Sequence, residues 1–513
     1  MNHVPIAPFA PVLLLFLETA SDSEFFAFLQ DAHRLVARNP TILDAIDADL
    51  DLHGQRKKAL RIQDAQWIEA KNKPLPTIDR SPTTVVAESL VLSMGRPRTS
   101  AYMVYLFLAG RGFFGGFKSA DATTLMLESV TLRVFLANQS LWLPGRSTLT
   151  ELVNAVSAGT REKILDAQLC EVLKEGWDDC KVLTQDSTAV KGNVLWPTDS
   201  QLMVDLVARL WRRGGQLDIV GLSNFGEPQI AKVLGEISSF AREISLGTGS
   251  KKAHKRRCLY GKLLKKAHRA IELLTPQVER TTQALGELDV LPSLRARAAR
   301  LVEWMKTDLE NLRKVVQCCE ARVLRYEKVP VEEKVLSVSD PDVGFIAKGD
   351  REPVIGYKPQ LARSGNGFIT GIIVPLGNAS DSCQLLPMFE QVVKRTGVIP
   401  EIVSVDDGYS STTSRATLKT RGVKIVSISG SKGKKITPDA DWNSEAYAVA
   451  RDNRSAVESL MFTIKNGFDF GRVARRGLEN VRAELLEKVL AYNFCRLAAC
   501  RRAPVIREEA QAA

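Results

Sequence analysis

The sequence predicts an α/β protein: a mixed sheet with helices on both faces, interrupted by a helical insertion after its first strand and preceded by an all-helical region. Three observations predict it. From about residue 20 to 175, apolar residues recur at three- and four-residue spacing with few β-branched runs, as in helices. Short Val/Ile-rich runs bounded by turn residues then occur at 182–186, 334–338, 354–358, 368–374, 401–405 and 423–428. Between the first two of these lies a charged stretch of helical spacing, about 225–330.

Each element follows from local chemistry. In the helical region, Leu143-Pro144-Gly145-Arg146-Ser147-Thr148 reads as a turn and a Ser/Thr cap, compatible with a helix-turn-helix and equally with a plain bundle. Val182-Leu183-Thr184-Gln185 is a strand ending at Asp186, and Thr198 to Ser200 can cap a helix with its apolar stripe at Met203, Leu206, Val207, Leu210 and Trp211. Runs 354–358 and 368–374, separated by Ser364-Gly365-Asn366-Gly367, are expected to pair as a hairpin. Asp381 or Ser382 can cap a helix through Val393, and Glu401 to Val405 reads as a buried strand ending at Asp406. A helix at 411–420, a strand at 423–428, the loop Gly430 to Lys435, and a long helix from Asn443-Ser444 to about Lys465 follow. A last helix covers about 478–500.

Without the insertion, the order is strand, strand, strand, helix, strand, helix, strand, helix. An antiparallel hairpin followed by right-handed crossovers builds a mixed sheet, which is the RNase H-like order. The chain divides accordingly into a helical N-terminal domain (1–175), a catalytic domain (176–215 and 331–500), a basic helical insertion (216–330) and a flexible tail (501–513).

Composition narrows the function. The 513 residues, 45% hydrophobic and 25% charged, suit a soluble globular chain of about three units. A formal charge of +11 favours polyanionic partners. Eight cysteines without a CxxC pair argue against a zinc site and fit reduced thiols in a cytoplasm. The apolar run Val4 to Leu17 carries three prolines and is shorter than the ~20 residues of a membrane helix, so neither export nor anchoring is expected.

The candidate chemistry rests on three acidic residues. Cutting or joining phosphodiesters with two hard cations about 4 Å apart requires carboxylates converging from separate elements. Asp186 and Asp406 stand at strand ends and Glu458 on the long helix, so all three can meet at one sheet edge. Arg454, Glu458 and Lys465, at offsets of four and seven, share one helix face, where two cations flank a carboxylate; an exposed salt-bridge stripe has the same spacing. Asp340 and Asp342, around a turn-forming Pro341, rank second. Asp407 faces away from Asp406 by strand alternation.

These residues resemble bacterial insertion-sequence transposases of the DDE type, most closely the ISNCY group. The resemblance spans roughly 85 to 500. It rests on Gln185-Asp186-Ser187-Thr188-Ala189-Val190, Trp196-Pro197-Thr198-Asp199-Ser200, Gly356-Tyr357-Lys358, Gly377-Asn378-Ala379-Ser380-Asp381, Val405-Asp406-Asp407-Gly408-Tyr409 and the spacing Arg454-x3-Glu458-x6-Lys465. Arg451 stands where the family pattern has a tyrosine, and Tyr447 lies one turn earlier on nearly the same face.

The resemblance implies an RNase H-like fold of the retroviral integrase superfamily. It also implies a transposase that cleaves DNA strands at insertion-sequence ends and transfers them into target DNA. Asp186, Asp406 and Glu458 would hold two Mg²⁺ ions, with Mn²⁺ as a substitute, and Arg454 and Lys465 would position phosphates. Implied partners are double-stranded DNA, as terminal inverted repeats and target, and further copies of the chain in a homodimer or higher oligomer. The implied location is a bacterial cytoplasm, at the nucleoid.

DNA contact is expected where basic charge concentrates: Lys251, Lys252, Lys255, Arg256, Arg257, Lys262, Lys265, Lys266 and Arg269 in the insertion, and Lys432, Lys434 and Lys435 before the long helix. A solvated helix face is the competing reading. Trp442 could stack on a flipped base, or simply pack. Two other functions remain: a catalytically inactive, transposase-derived DNA-binding protein, and an interaction protein with a basic helical arm.

Overall fold

The computed structural model describes residues 24–71, 99–114, 119–137, 143–222, 228–247, 253–347 and 352–512. The run Val4 to Leu17, and Lys251 and Lys252, lie outside the described residues. The chain forms two compact units, Met1–His53 with Arg98–Asn193 and Asp342–Ala513, and Gly54–Pro97 with Val194–Pro341.

The first unit begins with helices α1 (Glu24–Arg38), the start of α2 (Thr41–Lys71), α3 (Ala101–Phe113), α4 (Ser119–Glu128), α5 (Val130–Ala137), α6 (Arg146–Ala155) and α7 (Ala158–Lys174). Helix α3 is apolar on nearly every side, so it must be buried all round. It packs, with α1 and α7, on the long C-terminal helix α18 (Leu478–Ala512), within the same compact unit as the sheet. Helix α18 also continues through the tail expected to fray, whose Arg-Glu-Glu-Ala-Gln-Ala-Ala run favours helix.

A buried ionic knot ties these helices together. Glu487 of α18 accepts hydrogen bonds from Arg111 (2.7 Å) and Arg161 (2.6 Å), and Arg475 reaches the same carboxylate at 2.9 Å. Three guanidinium groups overcome the cost of burial and hold this carboxyl far below the usual range.

Two sheets follow. The larger has the order β6-β5-β1-β7-β8, built from β1 (Val182–Ser187), β5 (Gln360–Arg363), β6 (Ile369–Ile373), β7 (Ile402–Val405) and β8 (Ile425–Ile428). β1 runs antiparallel to β5 and parallel to β7, and β7 parallel to β8. The smaller, β2-β4-β3, joins β2 (Val190–Lys191), β4 (Val354–Tyr357) and β3 (Gly344–Ile346).

The expected hairpin is therefore corrected: β6 pairs with β5, while the 354–358 run enters the other sheet. Pro359 divides the extended stretch because it donates no N–H, and its carbonyl instead accepts from Thr188 N. Gly356 allows the close approach of β2, since a Cβ there would lie 2.0 Å from Val190 O. The 334–338 run is not a strand either. Val335 and Val338 pack against a helical core instead.

Beyond the hairpin, α12 (Leu385–Thr396) covers one face of the large sheet, where Leu385, Met388, Phe389 and Val392 meet Leu183, Val403 and Val405. Helix α13 (Thr412–Thr420) links β7 to β8. The expected basic loop after β8 is a short helix, α14 (Ser431–Ile436), followed by α15 (Asp439–Trp442). The expected long helix is two, α16 (Glu445–Asp452) and α17 (Ser455–Gly467), parted by a turn at Asn453-Arg454.

The second unit contains α8 (Asp199–Gln216), α9 (Pro228–Leu246), α10 (Ala253–Gly286) and α11 (Pro292–Cys319) around one apolar core. Thr198 caps α8 as expected, accepting from Gln201 N, and Met203, Leu206, Val207 and Leu210 are buried. Trp211 is 40% exposed, outside the stripe.

Candidate active site

Register alone brings two of the three expected carboxylates together. Thr184 pairs with Ser404 across the parallel strands β1 and β7. Asp186 and Asp406 each stand two residues further on, so they lie side by side at the ends of neighbouring strands, about 5 Å apart at the backbone. Alternation also fixes their face. Leu183 and Val403 turn toward α12, so Thr184, Ser404, Asp186 and Asp406 belong to the opposite face. There Ser404 Oγ donates to Ala450 O of α16, and α17 packs on β1.

Backbone N–H groups hold both aspartates. Ser187 N donates to Asp186 Oδ1 at 2.6 Å and Gly408 N to Asp406 Oδ1 at 2.9 Å. Asp407 points elsewhere: its Oδ1 accepts from Lys432 N (2.9 Å) and Gly433 N (2.8 Å), capping α14.

Glu458 lies in the first turn of α17, the helix that packs on β1. Its side chain is 59% exposed and pairs with Arg454 at 2.8 Å. Arg454 is thus the cap of α17 rather than a residue of one continuous helix, and the helix count of four and seven holds only from Glu458 to Lys465. Among the described residues, no three His, Cys, Asp or Glu side chains converge as a finished metal cage. The assembled pair, Asp186 and Asp406, offers oxygen only, the donor set of a hard divalent cation.

Asp342 Oδ2 accepts from Leu478 N (2.7 Å) at the start of α18, and Asp340 is buried with its N–H on Ser337 Oγ. Tyr447 is buried, and its hydroxyl accepts from Ile428 N and donates to Ile428 O, pinning α16 to β8. Trp442 packs against Tyr447, with the Arg451 guanidinium over its ring.

Behind the aspartates, on the α12 side, lies a polar row. Lys358 Nζ pairs with Asp381 Oδ2 (2.8 Å), Gln360 Nε2 donates to Asp381 Oδ1 (2.8 Å), and the Tyr409 hydroxyl donates to Gln360 Oε1. Burial, then the charges of Asp381, Asp186 and Asp406, push the Tyr409 phenol far above its usual range, so it stays a donor. Sequence reasoning offers Asp381 or Ser382 as a helix cap; Asp381 opens a 3-10 turn and faces Lys358. Three of its residues stood in the quoted motifs, Lys358 after Gly356-Tyr357, Asp381 at the end of Gly377 to Asp381, and Tyr409 at the end of Val405 to Tyr409; Gln360 carried no sequence signal.

Of the basic candidates, Lys255, Arg256, Arg257, Lys262, Lys265 and Arg269 are exposed on α10, while Lys266 is half-buried against Glu236 (2.7 Å). Arg257 bonds Leu324 O and Tyr326, and Arg269 pairs with Glu272. Lys432, Lys434 and Lys435 are exposed on α14.

A five-stranded mixed sheet with two aspartates at adjoining strand ends places two oxygen donors of the kind hard divalent cations take in the class of proteins that cut or join phosphodiesters. Within that class, residues 336–494 match the family model described as the transposase DDE domain, and that domain implies the RNase H-like fold. The match covers less than half of the chain; it includes Asp381, Asp406, Glu458 and Lys465 and begins after Asp186. No curated protein and no solved structure matches the chain significantly. No described helix is long and apolar enough to cross a membrane.

Proposed function

We propose that the chain is a DDE transposase, of the ISNCY type, that cleaves DNA at insertion-sequence ends and joins the freed strand to target DNA. The observation that carries this reading is the side-by-side placement of Asp186 and Asp406 at the ends of β1 and β7, with α17 packed on β1; Asp406 and Glu458 fall in the segment that matches a transposase domain. In this reading Asp186, Asp406 and Glu458 would hold two Mg²⁺ ions, or Mn²⁺ in their place, with the Arg454 guanidinium paired to Glu458 beside them. Bound there, the cations supply an activated attacking oxygen and a stabilised leaving oxygen.

The remaining work falls to this chain's own groups. Arg454 and Lys465, one at the cap and one two turns along α17, orient the scissile phosphate. The lysines of α14 and the exposed cations of α10 neutralise the flanking backbone of double-stranded DNA, both terminal repeats and target. Water attacks the phosphodiester and frees a 3′-hydroxyl. That hydroxyl then replaces a bridging oxygen in the target, so one ester forms for each one broken. The 216–330 segment serves as the basic insertion after the first strand, and the active form is a homodimer or higher oligomer at the nucleoid of a bacterial cytoplasm.

The test is nicking of supercoiled plasmid DNA in Mg²⁺ or Mn²⁺. Asp186→Ala is expected to abolish it while leaving DNA binding intact; unchanged nicking would overturn the reading. The Arg454–Glu458 pair favours the second reading, a catalytically inactive DNA-binding descendant. Wild-type protein that binds plasmid but never nicks it, with either metal, would establish that alternative.

A further inference from the structure

We infer that Lys358 and Asp381 are positioning residues for the proposed strand cleavage, acting through Gln360 and Tyr409 on the turn that carries Asp406. The inference rests on the reading above. Its observations lie on the α12 side of the sheet edge, among residues given no role so far.

Four side chains form one continuous path. The Lys358 ammonium, with its side chain 9% exposed, is held between Asp381 Oδ2 at 2.8 Å and Ala379 O at 3.3 Å. Asp381 passes to Gln360 Nε2 at 2.8 Å, and Gln360 Oε1 accepts the Tyr409 hydroxyl. Tyr409 lies three residues beyond Asp406 in the same 3-10 turn, and its N–H bonds Asp406 O. The path therefore starts at the β4–β5 junction and ends on the backbone of a proposed metal ligand.

Two further contacts link it to the aspartates. A Cβ built on Gly408 would lie 3.1 Å from Asp406 Oδ1 and 3.4 Å from Asp381 Oδ2, so both carboxylates border the same small space. Gln360 stands opposite Ser187, the neighbour of Asp186, across β5 and β1. Gln185, fully buried, donates weakly to Gln360 Oε1 and to Gln384 O at 3.3 Å each.

Burying an ammonium and a carboxylate is costly, and an ion pair in such a place is weak evidence of stability alone. Its physical use here is alignment. Strand ends are where a sheet's ladder stops, and the turn 406–409 is held on one side by Asp407 on the N–H groups of Lys432 and Gly433; the Tyr409 end is the side the polar row reaches. A buried polar network with defined geometry fixes that end, and Lys358 adds one positive charge behind an edge otherwise loaded with carboxylates.

The experiment uses full-length protein and supercoiled plasmid, with nicking rate measured against Mg²⁺ concentration for wild type, Asp381→Asn, Lys358→Met and Lys358→Arg. Outer-layer changes of this kind cost about 10–100-fold in metal affinity or activity. The expected result is a roughly tenfold or greater fall in nicking rate, or rise in the Mg²⁺ needed, for Asp381→Asn and Lys358→Met. Plasmid affinity should stay within about twofold, and Lys358→Arg should recover part of the loss. Nicking by both variants at the wild-type rate across the whole Mg²⁺ range would overturn the inference. Asp186→Asn run in parallel separates the two claims: if it nicks normally, the proposed active site is wrong whatever Asp381→Asn does. Mn²⁺ binding followed by electron paramagnetic resonance gives a readout without turnover: weaker binding, or an altered spectrum of bound Mn²⁺, in Asp381→Asn supports the inference, while equal affinity with an unaltered spectrum would also overturn it.

Discussion

At the scale of single residues, the adjoining Asp406 and Asp407 separate the proposed catalysis from architecture. They are chemically identical and consecutive, yet strand geometry sends one toward the α16–α17 face and the other onto the N–H groups of Lys432 and Gly433. Their substitutions should therefore fail differently. Asp406→Ala is expected to lower plasmid nicking by more than the ~100-fold that outer-layer changes reach, at nearly unchanged stability. Asp407→Ala removes a cap from α14 and should cost about 1 kcal/mol in denaturant unfolding while leaving far more nicking intact. Equal losses of nicking from both would mean that the facing argument fails. Residue spacing alone also suggested that Tyr447 could stand in for the family's tyrosine. Its two hydrogen bonds to Ile428 show a structural tie instead, and Arg451 has taken the outer position over Trp442.

At the scale of elements, the basic charge of α10 divides by partner. Lys266, Arg257 and Arg269 are engaged by Glu236, by Leu324 O with Tyr326, and by Glu272. Lys255, Lys262 and Lys265 stand exposed on the same helix and are the ones suited to phosphate. Changing these three to Gln should flatten the slope of log affinity against log salt by about 0.9 for each lost phosphate contact on duplex DNA. An unaltered slope would make α10 a solvated face. The same scale shows where pattern reading goes astray. The 354–358 run reads as the hairpin partner of 368–374, yet it enters the smaller sheet, and β5, beyond Pro359, takes that place. The 443–465 periodicity reads as one helix, yet it breaks at Asn453-Arg454, where Arg454 N and Val457 N make three-residue bonds to Arg451 O and Arg454 O.

At the scale of the first unit, the N-terminal helices are tied to α18 by charge as well as by apolar packing. Arg501 of α18 bonds Glu175, just beyond α7, and Arg38 of α1 bonds the same carboxylate. Burial works against ionisation of Glu175, but hydrogen bonds from Trp177, Arg38 and Arg501 outweigh it and hold the carboxyl at about 2, against an ordinary 4.5. Between those values the folded protein binds fewer protons than the unfolded chain, so stability rises with pH. This contribution is fully present above about pH 4.5 and is lost as pH falls through about 2. Urea unfolding measured from pH 5 to 2 should show a steeper fall for wild type than for Glu175→Gln; parallel profiles would contradict the assignment.

The sequence by itself determined what local chemistry can encode. The strands at 182–187, 402–405 and 425–428, the Thr198 cap and the helix after Asp381 all follow from side-chain period, capping residues and turns. Strand-end position singled out Asp186 and Asp406 for the same reason. Only the tertiary structure decided which strands pair, because register depends on partners more than 150 residues apart, as Thr184 with both Arg363 and Ser404 shows. It also decided that Asp381 faces Lys358 and Gln360 rather than capping a helix, since capping is a preference of about 1 kcal/mol that a buried counter-charge readily overrides. The carboxylates were legible one at a time; their grouping at one sheet edge, with a polar row behind it, is a property of the folded chain.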